Sequence, residues 1–179
     1  MVKSVKSGMH RKTIQELKNR AVTLGASDSK IIEVKTVKTA AWVRYKCQFG
    51  CSGFGECLTC PPYSPTPEQT QKILYCYKKA ILVHRRSSSV VNISKIVVQM
   101  EKEAFLAGYY KALAMGSGPC MLCAQCNLKG ECRHSEKARP SMEACGIDVF
   151  STVRNSGFTI DTLDSAGCKG DYFGLVLIE

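Results

Sequence analysis

Two short groups of cysteine constrain this chain more than any other feature. Cys47, Cys51, Cys57 and Cys60 follow C-x3-C-x5-C-x2-C-P, and Cys120, Cys123, Cys126 and Cys132 follow C-x2-C-x2-C-x5-C. The roughly sixty residues between them contain only Cys76. Each group supplies four soft ligands, enough for one tetrahedral ion or one cubic cluster. Gly50, Gly53, Gly55 and Pro61 beside the first group, and Gly118, Pro119 and Gly130 beside the second, permit the turns that wrapping requires. The local expectation is therefore four plus four, with one metal centre on each group.

The eleven cysteines are an odd number, so an intramolecular disulfide scheme leaves one unpaired. The N-terminal MVKSVKSGMHRKTIQELKNR is basic but lacks the apolar stretch of a secretory signal, and no run approaches the 18 apolar residues of a membrane span. A cytoplasmic location is expected, where close-spaced cysteines hold metals or do redox chemistry.

CSGFGEC, from Cys51 to Cys57, aligns without gaps to CNLKGEC, from Cys126 to Cys132, as two related loops would. C-x2-C-x2-C also opens a bacterial ferredoxin motif, in which three thiolates wrap three corners of an iron–sulphur cube. Cys132 can supply the fourth corner locally; Cys60-Pro61 and Cys145 are alternatives. Two [4Fe–4S] clusters are the leading cofactor reading. Two structural zinc ions are the other, because the C-x2-C pairs Cys57/Cys60 and Cys120/Cys123 are compatible with zinc knuckles.

Two blocks carry a family resemblance: CxxxCxxxxxCxxCPP from Cys47 to Pro62, and GPCMLCAQCNLKGECRHSEKARPSMEACGIDVFSTVRNSG from Gly118 to Gly157. With them the chain resembles DUF2284, a family of predicted metal-binding proteins, over most of its length. That resemblance implies metal binding at the eight motif cysteines and names no reaction.

The 179 residues are expected to form one domain, 1–179, with cysteine-rich modules at 47–62 and 118–146. Thr13 and Glu16 have capping-box spacing ahead of a helix reaching Leu24, and Thr66, Pro67 and Gln69 open a second helix running through Lys79. Ile31–Val37, Ala41–Tyr45, the AILVHRR segment and the final YFGLVLIE read as strands. Ser94 is the expected N-cap of a long helix ending near Met115, and Pro140, Ser141 and Glu143 the start of another. The fold class is α/β or α+β: a small mixed sheet, flanking helices and two cysteine-rich cluster-binding loops.

Function follows from the ligands. The leading reading is a redox protein passing electrons through two [4Fe–4S] clusters. An alternative is a cluster-dependent enzyme using an open iron or a reactive cysteine, Cys145 or Cys168, in sulphur or small-molecule chemistry. A third is a zinc-stabilised nucleic-acid-binding protein, with Lys72, Lys78, Lys79, Arg85 and Arg86 facing phosphate. The formal charge of +10 falls to about +6 if each of two loaded centres carries about −2, which suits a redox protein partner, an anionic small molecule or, with less support, nucleic acid. Arg133, His134, Lys137 and Arg139 follow the second group and are candidates to orient a negatively charged cluster or partner; Glu143 reads as a helix-terminal charge. Cys76 reads as a small packed thiol. No Walker or dinucleotide fingerprint is present.

Overall fold

The computed structural model describes residues 12–88, 91–163, 165 and 168–179. Most of the N-terminal stretch weighed against a secretory signal, 1–11, lies outside them. The order is α1 (Ile14–Thr23), β1 (Asp28–Glu33), a 3-10 turn (Val34–Thr36), α2 (Ala41–Gly50), α3 (Pro67–Leu74), β2 (Lys79–Ser87), α4 (Val91–Leu106), β3 (Leu113–Met115), α5 (Val149–Asn155) and β4 (Gly170–Leu177). The strands form one sheet in the order β1-β2-β4-β3. Every named pair is antiparallel, so the class is α+β, and the sheet expected as mixed is antiparallel.

Ala80, Ile81, Leu82 and Val83 of β2 are all fully buried, although their side chains alternate between faces. Both faces must therefore be covered. On one, Ile81, Val83 and Val176 pack with Leu17 and Ala21 of α1 and with Ile93, Val97 and Met100 of α4. On the other, Leu82, Leu175 and Leu177 pack with Leu74 of α3, Met142, Cys145, Ile147 and Val153 of α5. The second face leads to the cysteine loops. β4, expected as a buried or edge strand, is interior and pairs on both sides.

Both capping boxes form. Glu16 N donates to Thr13 Oγ1 at 3.2 Å and Thr13 N to Glu16 Oε2 at 2.7 Å. Gln69 N donates to Thr66 Oγ1 at 3.2 Å and Thr66 N to Gln69 Oε1 at 2.8 Å.

Five expectations fail: α3 ends at Leu74 rather than Lys79, residues 34–36 form a 3-10 turn rather than strand, and three others fail for tertiary or capping reasons. Ala41–Tyr45 is helical, not extended: Val43 is buried, and the Arg44 guanidinium on the same helix donates to Ser64 Oγ at 2.9 Å and the Ala144 carbonyl at 2.9 Å. These contacts override the β propensity of Trp42, Val43 and Tyr45. The long helix starts at Val91 and stops at Leu106, because Gly108 takes a left-handed φ of 93° and Tyr109 N returns to the Ala104 carbonyl at 3.1 Å. Met115 then lies in β3, and Ser94 sits inside the helix, bonding the Ser117 backbone at 3.3 Å. Residues 141–146 make one turn, capped at Ala144 N by Ser141 Oγ at 3.0 Å and ended by Gly146, before α5 starts separately on Asp148.

Glu103 ties α1 to α4. It accepts from Lys12 at 2.9 Å, Arg20 at 3.1 Å and Gln99 at 3.0 Å. Burial opposes its ionisation, but the bonds from Gln99, Lys12 and Arg20 outweigh burial and bring the carboxyl from 4.5 down to about 2. A depressed carboxylate stabilises above its unfolded pKa, and that stability is lost as pH falls from 4.5 towards about 2. Lys12 and Arg20 are 47% and 40% exposed, so solvent screening reduces the effect to about 1 kcal/mol. Urea unfolding of Glu103→Gln against the parent should show that deficit near about pH 6 and none near about pH 2. A deficit independent of pH would mean that packing, not charge, joins the helices.

Candidate metal centre

α2 carries Cys47 and delivers Cys51 at its C-terminal end. From there the chain runs through consecutive turns, with Phe54 N on the Cys51 carbonyl at 3.2 Å and Cys60 N on the Cys57 carbonyl at 2.9 Å. Gly55 N closes the loop on the Pro61 carbonyl at 2.7 Å, and the Pro61–Pro62 peptide is cis. Gly53 is required by close approach: a Cβ there would lie 3.4 Å from Cys60 Sγ, 3.6 Å from Cys51 Sγ and 3.0 Å from Pro119 Cβ.

The second loop leaves β3 and returns to the same place. Gly116 N bonds the Pro140 carbonyl at 2.8 Å and Met142 N bonds the Gly116 carbonyl at 3.0 Å, which joins the ends of the 117–139 excursion. Arg139 fixes it to α4 by a two-nitrogen fork on Glu101, at 2.9 Å for Nε–Oε2 and 2.6 Å for Nη2–Oε1. The same carboxylate accepts from Ala114 N of β3 at 2.6 Å. Arg139 is thus a structural clamp. Arg133 bonds the Gln125 carbonyl within the loop at 3.1 Å, and Lys137 makes an exposed pair with Glu136 at 3.6 Å. Among these four residues His134 and Arg133 line the cavity of the second cysteine group.

The eight motif cysteines line two cavities. Cys47, Cys51 and Cys60 line one cavity of about 480 Å³. Cys57 lines another, of about 230 Å³, together with Cys120, Cys123, Cys126 and Cys132. The Cys57 thiol donates to the Cys120 carbonyl at 3.6 Å, and Leu58 N donates to Cys126 Sγ at 3.4 Å. Cys57 and Cys60 nonetheless belong to one turn, closed by Cys60 N on the Cys57 carbonyl at 2.9 Å.

Burial, then the neighbouring Cys60, Cys126 and Cys120 thiols, push Cys57 up to about 11. Burial also raises Cys60, and burial with Cys51 and Glu143 raises Cys47. These three sulphurs thus resist ionisation until a cation supplies compensating charge, and binding a metal there must release protons. Soft sulphur donors facing shared cavities fit a thiophilic metal group. Among the described residues, no three Cys, His, Asp or Glu side chains converge tightly enough to hold one isolated ion.

Other candidates fall elsewhere. Cys145 is fully buried in the core and lines neither cysteine cavity, and burial pushes its thiol up to about 12. Cys76, expected to pack, is exposed, and Cys168 lines neither cavity. Lys79 pairs with Glu33, Arg85 with the Gly25 carbonyl and Arg86 with Asp171, which commits three of the five basic residues considered for phosphate. Glu143 is no helix-terminal charge: its Oε2 is buried without a hydrogen-bond partner at the wall of the larger cavity. Only its place in the fold reveals this.

The DUF2284 sequence profile, described as a predicted metal-binding protein, matches residues 30–178. The chain belongs to the DUF2284 family. Both cysteine blocks, and every strand after the first two residues of β1, lie inside the match. Metal binding is therefore the family's described property, and the many cysteines point to a metal cofactor. No curated protein and no solved structure matches the chain. No helix among the described residues is long and apolar enough to cross a membrane.

Proposed function

We propose that this DUF2284 chain is an iron–sulphur redox protein that passes single electrons through two adjacent [4Fe–4S] clusters. Cys47, Cys51 and Cys60 would hold an inner cluster; the outer would draw its ligands from Cys57, Cys120, Cys123, Cys126 and Cys132. The observation that supports this reading is that Cys57 and Cys60, three residues apart, line different cysteine-bearing cavities. A single zinc ion collects its sulphurs at about 2.3 Å. The five outer thiols instead surround a cavity of about 230 Å³, which favours a polynuclear group.

Such clusters supply one-electron redox chemistry. The chain supplies the surroundings that tune it: Gly53 N donates to Cys51 Sγ at 3.4 Å and Leu58 N to Cys126 Sγ at 3.4 Å. Amide bonds to sulphur are among the factors that set a cluster's potential. A cluster-dependent enzyme is the second reading, favoured by one observation. The inner set has three thiols, which would leave one iron without a cysteine beside a cavity of about 480 Å³.

Anaerobically purified protein should contain iron and acid-labile sulphide, and its reduced form should show EPR signals from two clusters that broaden each other. Stoichiometric zinc without sulphide would overturn the proposal. So would two metal centres that no reductant alters.

A further inference from the structure

α2 turns its aromatic residues outward. Val43 is its one buried residue, and the Arg44 guanidinium is held on the inner side by Ser64 Oγ and the Ala144 carbonyl, each at 2.9 Å. Trp42, Tyr45 and Phe49 are 50%, 67% and 69% exposed. At about 100° per residue these three lie within about 60° of one another, with Lys46 at one edge. The Tyr45 and Phe49 rings, one turn apart, lie centroid to centroid at 4.7 Å, and Lys46 Nζ stands 6.0 Å from the Trp42 ring. A surface helix ordinarily turns such a stripe to the core.

The uncovered area is substantial. Aromatic side chains bury about 150–250 Å² each, so three at these exposures leave on the order of 350 Å² of ring surface in water. That is close to half of the roughly 800 Å² that each partner gives to a standard interface. The order of the residues says what covers it. Trp42 lies three residues before Tyr45 and Phe49 four residues after it, so the stripe reads nearly the same from either end. A second α2 laid antiparallel on the first therefore sets Trp42 against Phe49 at both ends, and Tyr45 against its own copy at the centre. Lys46 stays at the rim, in solvent. The seam is then aromatic throughout and opposes no like charges at its core.

We propose that the outer face of α2 is a self-association surface, on which a second copy of this chain packs antiparallel about a two-fold axis beside Tyr45. Such an interface is isologous: one patch serves both copies. α2 also carries Cys47 and delivers Cys51, so the dimer sets the two inner cysteine groups on either side of one two-helix seam, with helix axes about 8–10 Å apart. The assignment rests on the exposed rings and their order, independently of which metal the cysteines hold.

Sedimentation equilibrium of the anaerobically purified full chain should show a concentration-dependent dimer. Phe49→Asp, at a position mostly in solvent in one copy, should weaken that dimer about tenfold, the scale of losing one aromatic anchor. Tyr45→Asp should do the same, and it carries the test if circular dichroism shows that Phe49→Asp has lost its fold. Photoreactive p-benzoylphenylalanine in place of Phe49 should join two chains, with the attachment at or beside Trp42 of the second copy. A monomer at every concentration overturns the proposal and leaves the stripe to a different protein. A dimer that folded Phe49→Asp or Tyr45→Asp leaves intact overturns it as well. So does a crosslink within one chain, which would put another segment of the same copy on the stripe, or a crosslink to a second copy far from Trp42. Iron and sulphide counts on the same samples report separately on the iron–sulphur reading.

Discussion

Cys60→Ser is expected to abolish the inner metal centre and spare the outer, while Cys57→Ser, three residues away, spares the inner and weakens the outer. The expectation comes from the cavities: Cys60 faces Cys47 and Cys51, and Cys57 faces Cys120, Cys123, Cys126 and Cys132. Serine is similar in size but offers a harder and less acidic donor, so metal binding falls while the backbone can keep its path. The inner centre should suffer more, because it has three thiols and no spare. The outer group has five candidates for four corners, so Cys132 or another thiol can partly compensate for Cys57. Iron and sulphide per chain, with EPR of the reduced protein, read the two centres separately. Far-ultraviolet circular dichroism identifies any variant that has lost its fold, since metal binding and folding are coupled. If Cys57→Ser removes the inner signal and leaves the outer intact, the local four-plus-four division is right and the one proposed here is wrong.

Gly146→Ala should destabilise the protein by about 2 to 4 kcal/mol, lowering Tm by roughly 10 °C for a chain of this size. Gly146 has φ 74°, which costs any other residue about 1 kcal/mol. A Cβ there would also lie 2.5 Å from Pro67 Cγ and 3.0 Å from Pro67 Cα, a rigid ring at the start of α3 with no flexible end to swing away. The joint is shared: the Gly146 carbonyl accepts from Ala40 N at 2.9 Å, just before α2, and the Cys145 carbonyl accepts from Thr70 Oγ1 of α3 at 2.6 Å. Displacing it should also shift Cys47 on α2 and reduce loading of the inner centre. Gly55→Ala is the control, because Gly55 has φ 75° but nothing within 4 Å of its Cβ position. It should cost only about 1 kcal/mol. Equal losses in the two variants would show that backbone conformation alone, and not the contact with Pro67, sets the cost at Gly146.

Legibility followed the range of the interactions. The capping boxes at Thr13 and Thr66 were readable because donor and acceptor lie three residues apart and compete with nothing distant. The AILVHRR segment was readable as the strand β2, and its burial on both faces came with the packing. Gly108 was a readable stop that the apolar spacing through Ala114 obscured. By contrast, α2 has strand-like residues, and its helical state depends on Arg44 reaching groups 20 and 100 residues away.

The sequence by itself determined that two groups of cysteines sit on turn-rich loops and that the chain belongs with a predicted metal-binding family, because residue type and local spacing are written in neighbouring residues. Tertiary structure alone decided which thiols face one another. The two loops meet, and there the Cys57 thiol donates to the Cys120 carbonyl while Cys60 lines the cavity of Cys47 and Cys51. It also buried Glu143 Oε2 without a hydrogen-bond partner. Both outcomes depend on segments far apart in the chain being packed together by the core, and spacing along one segment carries no record of what the other presents to it.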